Sequence, residues 1–204
     1  MVGEGQSLAK RSSDHNEPDP VEIEPLSRVQ LLAAMAATAL ILLLVAKIWL
    51  QFDDSRFPFS PRWWDAGAGV GLGLGISGVS ALVYWLWPAY QRSANFYLAF
   101  VLAPLLLTDS VWIGLLPGMS EELLFRGVML PSIGLNSTGL VVSSLCFGVL
   151  HMSGKHQWPY AVWASLVGLV LGGSALITGN LLVPIVAHVT TNFLSSLVWQ
   201  LKQR

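Results

Sequence analysis

Three charged side chains interrupt an otherwise apolar segment of the sequence, within the stretch Met119 to Gly127 that reads Met-Ser-Glu-Glu-Leu-Leu-Phe-Arg-Gly. A charged side chain at the centre of a bilayer costs about 2.5–3.5 kcal/mol on insertion scales, so three of them indicate a structural or chemical role. On a helix, Glu122 and Arg126 are four residues apart and can form an ion pair on one face. Glu121 lies about 100° around the same helix. Its carboxylate is therefore left free.

Two other apolar segments carry isolated polar side chains, in Phe147-x-x-x-His151 and in His188-x-x-x-Asn192. At about 1.5 Å per residue, Glu121 lies roughly 14 Å from one end of its helix. His151 lies roughly 21 Å, and His188 roughly 12 Å, from one end of its own helix. With six membrane spans, those three helix ends lie on the same side of the bilayer. We therefore expect these side chains, with Asn192 on the same helix face as His188, to meet in one pocket at intermediate depth.

The composition explains why such residues need partners. Of the 204 residues, 53% are hydrophobic and only 11% are charged, and the net charge is -1. These values predict an integral, multi-pass membrane protein whose surroundings are the lipid bilayer, and no basic run suggests a nucleic-acid partner. Because Cys146 is the only cysteine in the sequence, no disulfide can form within the chain.

The order of polar and apolar segments predicts an all-α transmembrane bundle of about six spans. Residues 1–28 are polar and proline-containing, which favours a disordered tail rather than a cleavable signal peptide. Residues 29–95 contain two spans, and glycines 67, 71 and 75 of the second, with 69 and 73 on a neighbouring stripe, have the spacing that lets helices approach closely. Residues 96–204 form the bundle that carries the polar residues. Its predicted helices cover 95–130 with a kink, 140–152, 159–178 and 181–201.

The polar residues, taken together, resemble those of a known family. Glu121-Glu122-x-x-x-Arg126, Phe147-x-x-x-His151 and His188-x-x-x-Asn192, in that order on successive membrane helices, are similar to the motifs of the CAAX-protease and bacteriocin-processing (CPBP) family of intramembrane proteases. The resemblance covers about residues 100 to 200. It implies an endopeptidase, a hydrolase that cleaves a membrane-associated protein or peptide. The substrates of some relatives carry a prenylated carboxyl terminus.

Peptide hydrolysis requires an activated water and a group that stabilises the tetrahedral oxyanion. A carboxylate surrounded by apolar side chains is a better base near neutral pH than one in water. Glu121 is the candidate for that role, and His151 is the candidate for holding the water beside it. His188 and Asn192 are the candidates for donating hydrogen bonds to the oxyanion. The Glu122 and Arg126 ion pair would hold the helix in position.

A metal-dependent scheme remains open. His151, His188 and Glu121 would suffice to bind one divalent metal such as zinc, with water in the open coordination position. The soluble metalloprotease signature His-Glu-x-x-His is absent from the sequence. Members of the family that the chain resembles have been described both as metalloproteases and as glutamate-dependent enzymes, so the cofactor is either none or one divalent metal. We favour the metal-free scheme.

Other functions are compatible with parts of the sequence. Gly75-Ile-Ser77-Gly78 matches the short pattern of rhomboid serine proteases, with His188 as a base, but this assignment gives no role to Glu121, Glu122 and Arg126. A protein with the same fold could instead act as a non-proteolytic membrane scaffold or chaperone, or as a bacteriocin-immunity protein. A transporter is the third alternative, because buried charges also mark ion pathways.

Overall fold

Residues 26–203 are described by a computed structural model, and within that range the chain is helical and contains no β-strand. The predicted all-α class is confirmed. The predicted disordered tail lies outside the described residues up to position 25, and Arg28 is already the first residue of a helix. The α-helices are α1 (Arg28–Trp49), α2 (Trp63–Leu86), α3 (Pro88–Leu102), α4 (Ser110–Leu124), α5 (Leu130–Ile133), α6 (Ser137–Leu150), α7 (Trp158–Thr178) and α8 (Leu182–Lys202).

Several helix ends follow signals that are visible in the sequence. α3 begins with Pro88, in the first helical turn, where a missing N–H costs no hydrogen bond. α6 is capped by Asn136, whose side-chain oxygen accepts a hydrogen bond of 3.1 Å from the Gly139 N–H. α7 ends at Gly179 in the left-handed conformation, with φ of 62°. The breaks between the predicted helices 95–130 and 140–152, and between 159–178 and 181–201, are therefore present.

The kinked helix predicted over residues 95–130 consists of two helical segments. α3 ends at Leu102, and the next segment, Leu107–Ile133, runs at 104° to it. Pro104 lies in the break, where its missing N–H and its ring disfavour a continuous helix. The second segment contains a wide π-helical turn at Phe125–Met129, called the π-turn below, directly after the two glutamates.

The spans agree with a multi-pass membrane protein. By length and composition, α1, α2, α8 and the segment Lys155–Thr178 are each able to cross a bilayer, and the bent pair of α3 and Leu107–Ile133 adds a fifth span. α6 is apolar but shorter. Together these elements account for the six predicted segments, with four or five of them qualifying as full spans in the described part of the chain.

Close helix packing in α2 uses only one of the two glycine stripes noted in the sequence. A β-carbon at Gly67, Gly71 or Gly75 would meet no other atom within 4 Å, so that stripe makes no close contact. At Gly69 it would lie 2.7 Å from Val186 Cβ, and at Gly73 it would lie 2.7 Å from the Ala187 carbonyl oxygen. These two glycines bring α2 against α8, immediately beside His188.

The loop between α1 and α2 is tied to the core by backbone and amide hydrogen bonds. The Phe57 N–H donates to the Gly127 carbonyl oxygen in the π-turn at 2.9 Å, and the Phe57 side chain is buried. Asn180 is also buried, and its side chain accepts from the Ser60 N–H at 2.9 Å and donates to the Ser60 carbonyl oxygen at 2.8 Å and to Asp65 Oδ2 at 2.6 Å. This loop thereby connects the ends of α7 and α8 to the π-turn.

Candidate active site

The predicted ion pair forms in the centre of the bundle. Arg126 Nη1 donates to Glu122 Oε1 at 2.7 Å, and both side chains are completely buried. Arg126 Nη2 donates to the Gly168 carbonyl oxygen of α7 at 2.9 Å, and its guanidinium carbon lies 4.4 Å from the centre of the Phe147 ring. The pair thus connects α4 and the π-turn to α6 and α7.

Glu122 also makes a contact that the sequence did not reveal. His188 Nδ1 lies 2.9 Å from the same oxygen, Glu122 Oε1, that accepts from Arg126. Since a carboxylate paired with an arginine can only accept, Nδ1 of His188 carries the hydrogen. In the neutral imidazole the other nitrogen, Nε2, is then a hydrogen-bond acceptor, and it lies 4.0 Å from Glu121 Oε2. Glu122 therefore fixes the tautomer and the orientation of His188.

His151 is held in a similar way from its own helix. Its Nδ1 lies 2.9 Å from the Phe147 carbonyl oxygen, which can only accept, so Nδ1 carries the hydrogen here as well. Its Nε2 lies 3.7 Å from Glu121 Oε2. The Phe147 ring packs against both imidazoles, with its centroid 4.7 Å from that of His151 and 5.6 Å from that of His188. Both histidines therefore direct the same nitrogen, Nε2, toward one carboxylate oxygen.

Of the two adjacent glutamates, Glu121 is the one that has no ion pair with an arginine or a lysine among residues 26–203. Its Oε2 atom is buried and has no hydrogen-bond partner among residues 26–203, although two imidazole nitrogens lie 3.7 and 4.0 Å away. Its side chain is 15% exposed, whereas that of Glu122 is inaccessible. An unpaired buried carboxylate oxygen is costly, so this atom is where a water or a substrate group would bind.

These residues line one cavity of about 160 Å³. Asn192 lies on its wall, one turn beyond His188 on α8. The structure therefore brings together all four side chains predicted to converge, which are Glu121, His151, His188 and Asn192.

The spacing of these groups differs from that of a metal site. A zinc ion binds histidine nitrogen and carboxylate oxygen at about 2.0–2.2 Å, which places tetrahedral ligand atoms about 3.3–3.6 Å apart. The separations of 3.7 and 4.0 Å from Glu121 Oε2 to the two imidazoles are wider than this. Across residues 26–203, no group of three or more histidine, cysteine, aspartate or glutamate side chains is arranged to hold a metal ion. A tetrahedral zinc site would require these two distances to shorten by about 0.1–0.4 Å.

Two tyrosines that sequence reasoning did not select form a wall of the cavity. Tyr97 of α3 and Tyr160 of α7 stack with ring centroids 4.5 Å apart, and each ring lies within 6.4 Å of the His151 ring. Both residues line the cavity that contains Glu121. Aromatic residues are common in membrane helices, so residue type alone did not indicate that either tyrosine lies at the site.

Asp109, a further buried carboxylate, has a structural role. Its carboxylate accepts two hydrogen bonds of 2.7 Å from the Arg28 guanidinium and one of 2.8 Å from the Leu106 N–H. This bidentate contact connects the start of α1 to the turn before α4. Asp109 does not line the cavity that contains Glu121.

The residues of the alternative serine-protease assignment do not meet. Ser77 Oγ donates to the Gly73 carbonyl oxygen of its own helix at 2.8 Å, and Ser77 is not among the residues that line the Glu121 cavity. His188 is instead bonded to Glu122. A serine nucleophile and its base must lie within hydrogen-bond reach of each other, and this arrangement does not provide that contact.

Comparisons with known proteins agree with the motif resemblance. Residues 102–194 match the family model described as Rce1-like, type II CAAX prenyl endopeptidase Rce1-like. Over 78 residues the chain is 36% identical to the protein titled uncharacterized protein YpbD from Bacillus subtilis (strain 168), a stretch that covers 38% of this chain and 39% of that relative. The match therefore spans about two fifths of the length of the relative. No solved structure matches the chain.

Proposed function

We propose that the chain is an intramembrane endopeptidase that hydrolyses a peptide bond of a membrane-associated protein or peptide. The match of residues 102–194 to the Rce1-like family model supports this proposal. One observation carries this proposal above the others. A buried carboxylate oxygen of Glu121 has no hydrogen-bond partner among the described residues, and both imidazoles direct Nε2 toward it inside a small cavity. Since the family model names prenyl endopeptidases, lipidated carboxyl-terminal peptides are the first substrates to test.

In the proposed reaction, Glu121 and His151 hold the attacking water. The 3.7 Å between Glu121 Oε2 and His151 Nε2 separates two hydrogen-bond acceptors, and one water can donate to both. Glu121 removes a proton from this water while the oxygen of the water attacks the carbonyl carbon of the peptide. This step gives a tetrahedral intermediate with a negative oxygen. When the carbon–nitrogen bond breaks, the proton taken by Glu121 passes to the leaving amine. No proton is lost or gained over the cycle.

The two proposed oxyanion donors, Asn192 and His188, differ in the protonation state that they need in order to donate. The Asn192 amide carries N–H hydrogens at all times, and Asn192 lines the cavity that contains Glu121. His188 donates from Nε2 only as the imidazolium, because Nδ1–H is engaged with Glu122. Asn192 is therefore the permanent donor in this scheme, and His188 becomes a donor once it is protonated.

The test is cleavage of lipidated membrane peptides by the purified protein. Glu121→Gln removes the base with almost no change in shape, and we expect the turnover rate to fall by about 10²–10⁴-fold, the usual contribution of a general base. Asp54→Asn, at an exposed loop carboxylate outside the cavity, is the matched control and should leave the rate unchanged. Asn192→Ala should lower the rate by about 10²–10³-fold, as loss of one oxyanion donor does.

Three results would decide against this proposal or refine it. Cleavage that survives Glu121→Gln with an unchanged rate excludes Glu121 as the base. A rate that is abolished by a chelator and restored by zinc, together with stoichiometric zinc in the purified protein, replaces the metal-free scheme with the metal-dependent one. A chain that complements a deletion strain equally well with and without the Glu121→Gln substitution acts as a scaffold, a chaperone or an immunity protein.

A further inference from the structure

The two imidazoles of the candidate active site are anchored unequally. His188 lies within α8, and its Nδ1–H is bonded to the Glu122 carboxylate at 2.9 Å. The Nδ1–H of His151 donates instead to the neutral carbonyl oxygen of Phe147, also at 2.9 Å. A hydrogen bond to a charged acceptor is roughly twice as strong as one between neutral groups. The hydrogen bond that orients His151 is therefore the weaker of the two.

The place of His151 in the chain weakens its anchor further. α6 ends at Leu150, and His151 is the residue that caps its carboxyl end. Residues 152–156, which follow, are exposed. The ends of helices fray more readily than their centres, and the Phe147 carbonyl oxygen belongs to the last turn of α6. The backbone alone is therefore a poor means of keeping the His151 ring in one orientation.

The tyrosine pair in the wall of the cavity contacts this ring from two other helices. The ring centroid of Tyr97, in α3, lies 6.4 Å from that of His151, and the ring centroid of Tyr160, in α7, lies 6.2 Å from it. Both distances fall within the range of favourable aromatic pairs, which is about 4.5–7 Å. The two tyrosine rings stack on each other at 4.5 Å. The imidazole therefore lies against a surface made of two rings.

The tyrosine pair is itself fixed by the surrounding bundle. The Tyr160 ring stacks on the buried Tyr90 ring, with centroids 6.2 Å apart and planes within 7° of parallel. Ser93, one turn before Tyr97 on α3, is buried, and its Oγ donates to Gln157 Oε1 at 2.7 Å. This hydrogen bond ties α3 to the connection between α6 and α7. The two rings are therefore supported independently of the end of α6.

From these contacts, we propose that Tyr97 and Tyr160 are positioning residues that hold the His151 imidazole with its Nε2 directed toward Glu121. This inference rests on the proposed function and deepens it, because that Nε2 is the acceptor that holds the attacking water. Each aromatic contact should contribute about 2–12-fold to the ratio of held to released imidazole. The role belongs to the rings rather than to the hydroxyl groups, so phenylalanine should replace either tyrosine.

The orientation of the imidazole is read from its nitrogen signals in NMR spectra, which do not depend on turnover. The full chain is labelled with ¹⁵N-histidine, and His15 and His156 are replaced by glutamine so that only the two site imidazoles remain. At about pH 8.5 an ordinary imidazole is neutral. A held ring with its hydrogen on Nδ1 then gives separate signals for its protonated and unprotonated nitrogens, whereas a released ring that exchanges tautomers gives signals closer to their average. We expect separate signals for His151, and a ratio of held to released ring that falls by about 2–12-fold in each of Tyr97→Leu and Tyr160→Leu.

Matched variants separate positioning from general damage. Tyr97→Phe and Tyr160→Phe keep the rings and should restore the separate His151 signals. Tyr84→Leu removes a tyrosine that does not line the Glu121 cavity and should leave those signals unchanged. The His188 signals are the internal control and should stay the same in every variant. Unchanged His151 signals in both leucine variants, or His188 signals that change in parallel, would overturn the inference.

Turnover separates positioning from contact with the substrate. With the lipidated peptides of the proposed function, both leucine variants should lower kcat by up to about 12-fold and leave KM unchanged, since a released ring cannot hold the water. A change confined to KM, or an equal fall in kcat in Tyr97→Phe or Tyr160→Phe, would mean that these side chains contact the substrate and would overturn the inference. A protein that shows the expected nitrogen signals but cleaves no peptide would refute the proposed endopeptidase and leave the assignment of the tyrosine pair intact. The two failures are therefore distinguishable.

Discussion

Removing the buried arginine should destabilise the whole bundle. Arg126 is completely buried, and its two nitrogens bond to Glu122 at 2.7 Å and to the Gly168 carbonyl oxygen at 2.9 Å. Arg126→Met keeps most of the side-chain volume but leaves the Glu122 carboxylate as an uncompensated charge. Breaking one side of a buried ion pair costs about 3–5 kcal/mol, against about 0–1 kcal/mol for an exposed pair. We expect the free energy of unfolding to fall by about 3–5 kcal/mol.

A double-mutant cycle isolates the pair. Glu122→Gln alone leaves Arg126 unpaired and should also cost about 3–5 kcal/mol. The combined variant buries no unpaired charge, and the amide oxygen introduced by Glu122→Gln can still accept from His188, so its total cost should be about 0–2 kcal/mol. The free energy is measured by unfolding in mixed detergent micelles, followed by circular dichroism. Arg92→Met, at an exposed arginine, is the matched control for the change of residue type.

Two outcomes would refute this reasoning. A loss below about 1 kcal/mol for Arg126→Met would mean that water compensates the Glu122 charge as it does at a surface. A double variant whose cost equals the sum of the two single costs would mean that the residues contribute independently. In either case, Glu122 would have to be treated as a hydrated group, and its role in orienting His188 would lose its physical basis.

Two further predictions concern contacts outside the Glu121 cavity that hold its helices in position. Gly73→Val should lower the free energy of unfolding by about 1–3 kcal/mol, because its β-carbon would overlap the α8 backbone. Gly71→Val, on the open stripe, is the control and should leave the free energy of unfolding unchanged. Equal effects of the two variants in detergent unfolding would contradict this packing of α2 on α8. Asn180→Ala removes four hydrogen bonds of a buried side chain and should cost about 2–4 kcal/mol. It should also expose the loop at residues 51–62 to proteolysis, and an unchanged digestion pattern would contradict this.

The sequence predicted the convergence of the polar residues because of the cost of burying them. Charged and strongly polar side chains on apolar helices must face inward and find partners, so Glu121, His151 and His188 had few other places to lie. Their depths along the helices then limited them to one level of the bundle. The helix ends at prolines, glycines and Asn136 were predictable for local reasons, which do not depend on the rest of the fold.

Other features depend on contacts between distant segments and were not predictable. In α2 two glycine stripes have the same composition and spacing, and the choice of Gly69 and Gly73 is made by the side chains of α8. The partner of Asp109 is Arg28, which is 81 positions away in the chain. The hydrogen bond from His188 to Glu122, which determines the tautomer, joins residues 66 positions apart. Residue types and spacing carry no information on such pairings without the fold.

The part of the chain that precedes the family match acts directly on the residues of the site. The match begins at residue 102, yet Gly73 packs against the carbonyl of Ala187, next to His188, and the Phe57 N–H bonds to the carbonyl of Gly127, next to Arg126. Backbone groups are positioned far more rigidly than side chains, so these two contacts fix the α8 and π-turn backbones beside the residues that orient the imidazole. A fragment starting at residue 96 would keep all four candidate catalytic side chains but lose both contacts. The geometry at Glu121 therefore depends on the entire described bundle, and a fragment limited to the matched residues would not reproduce it.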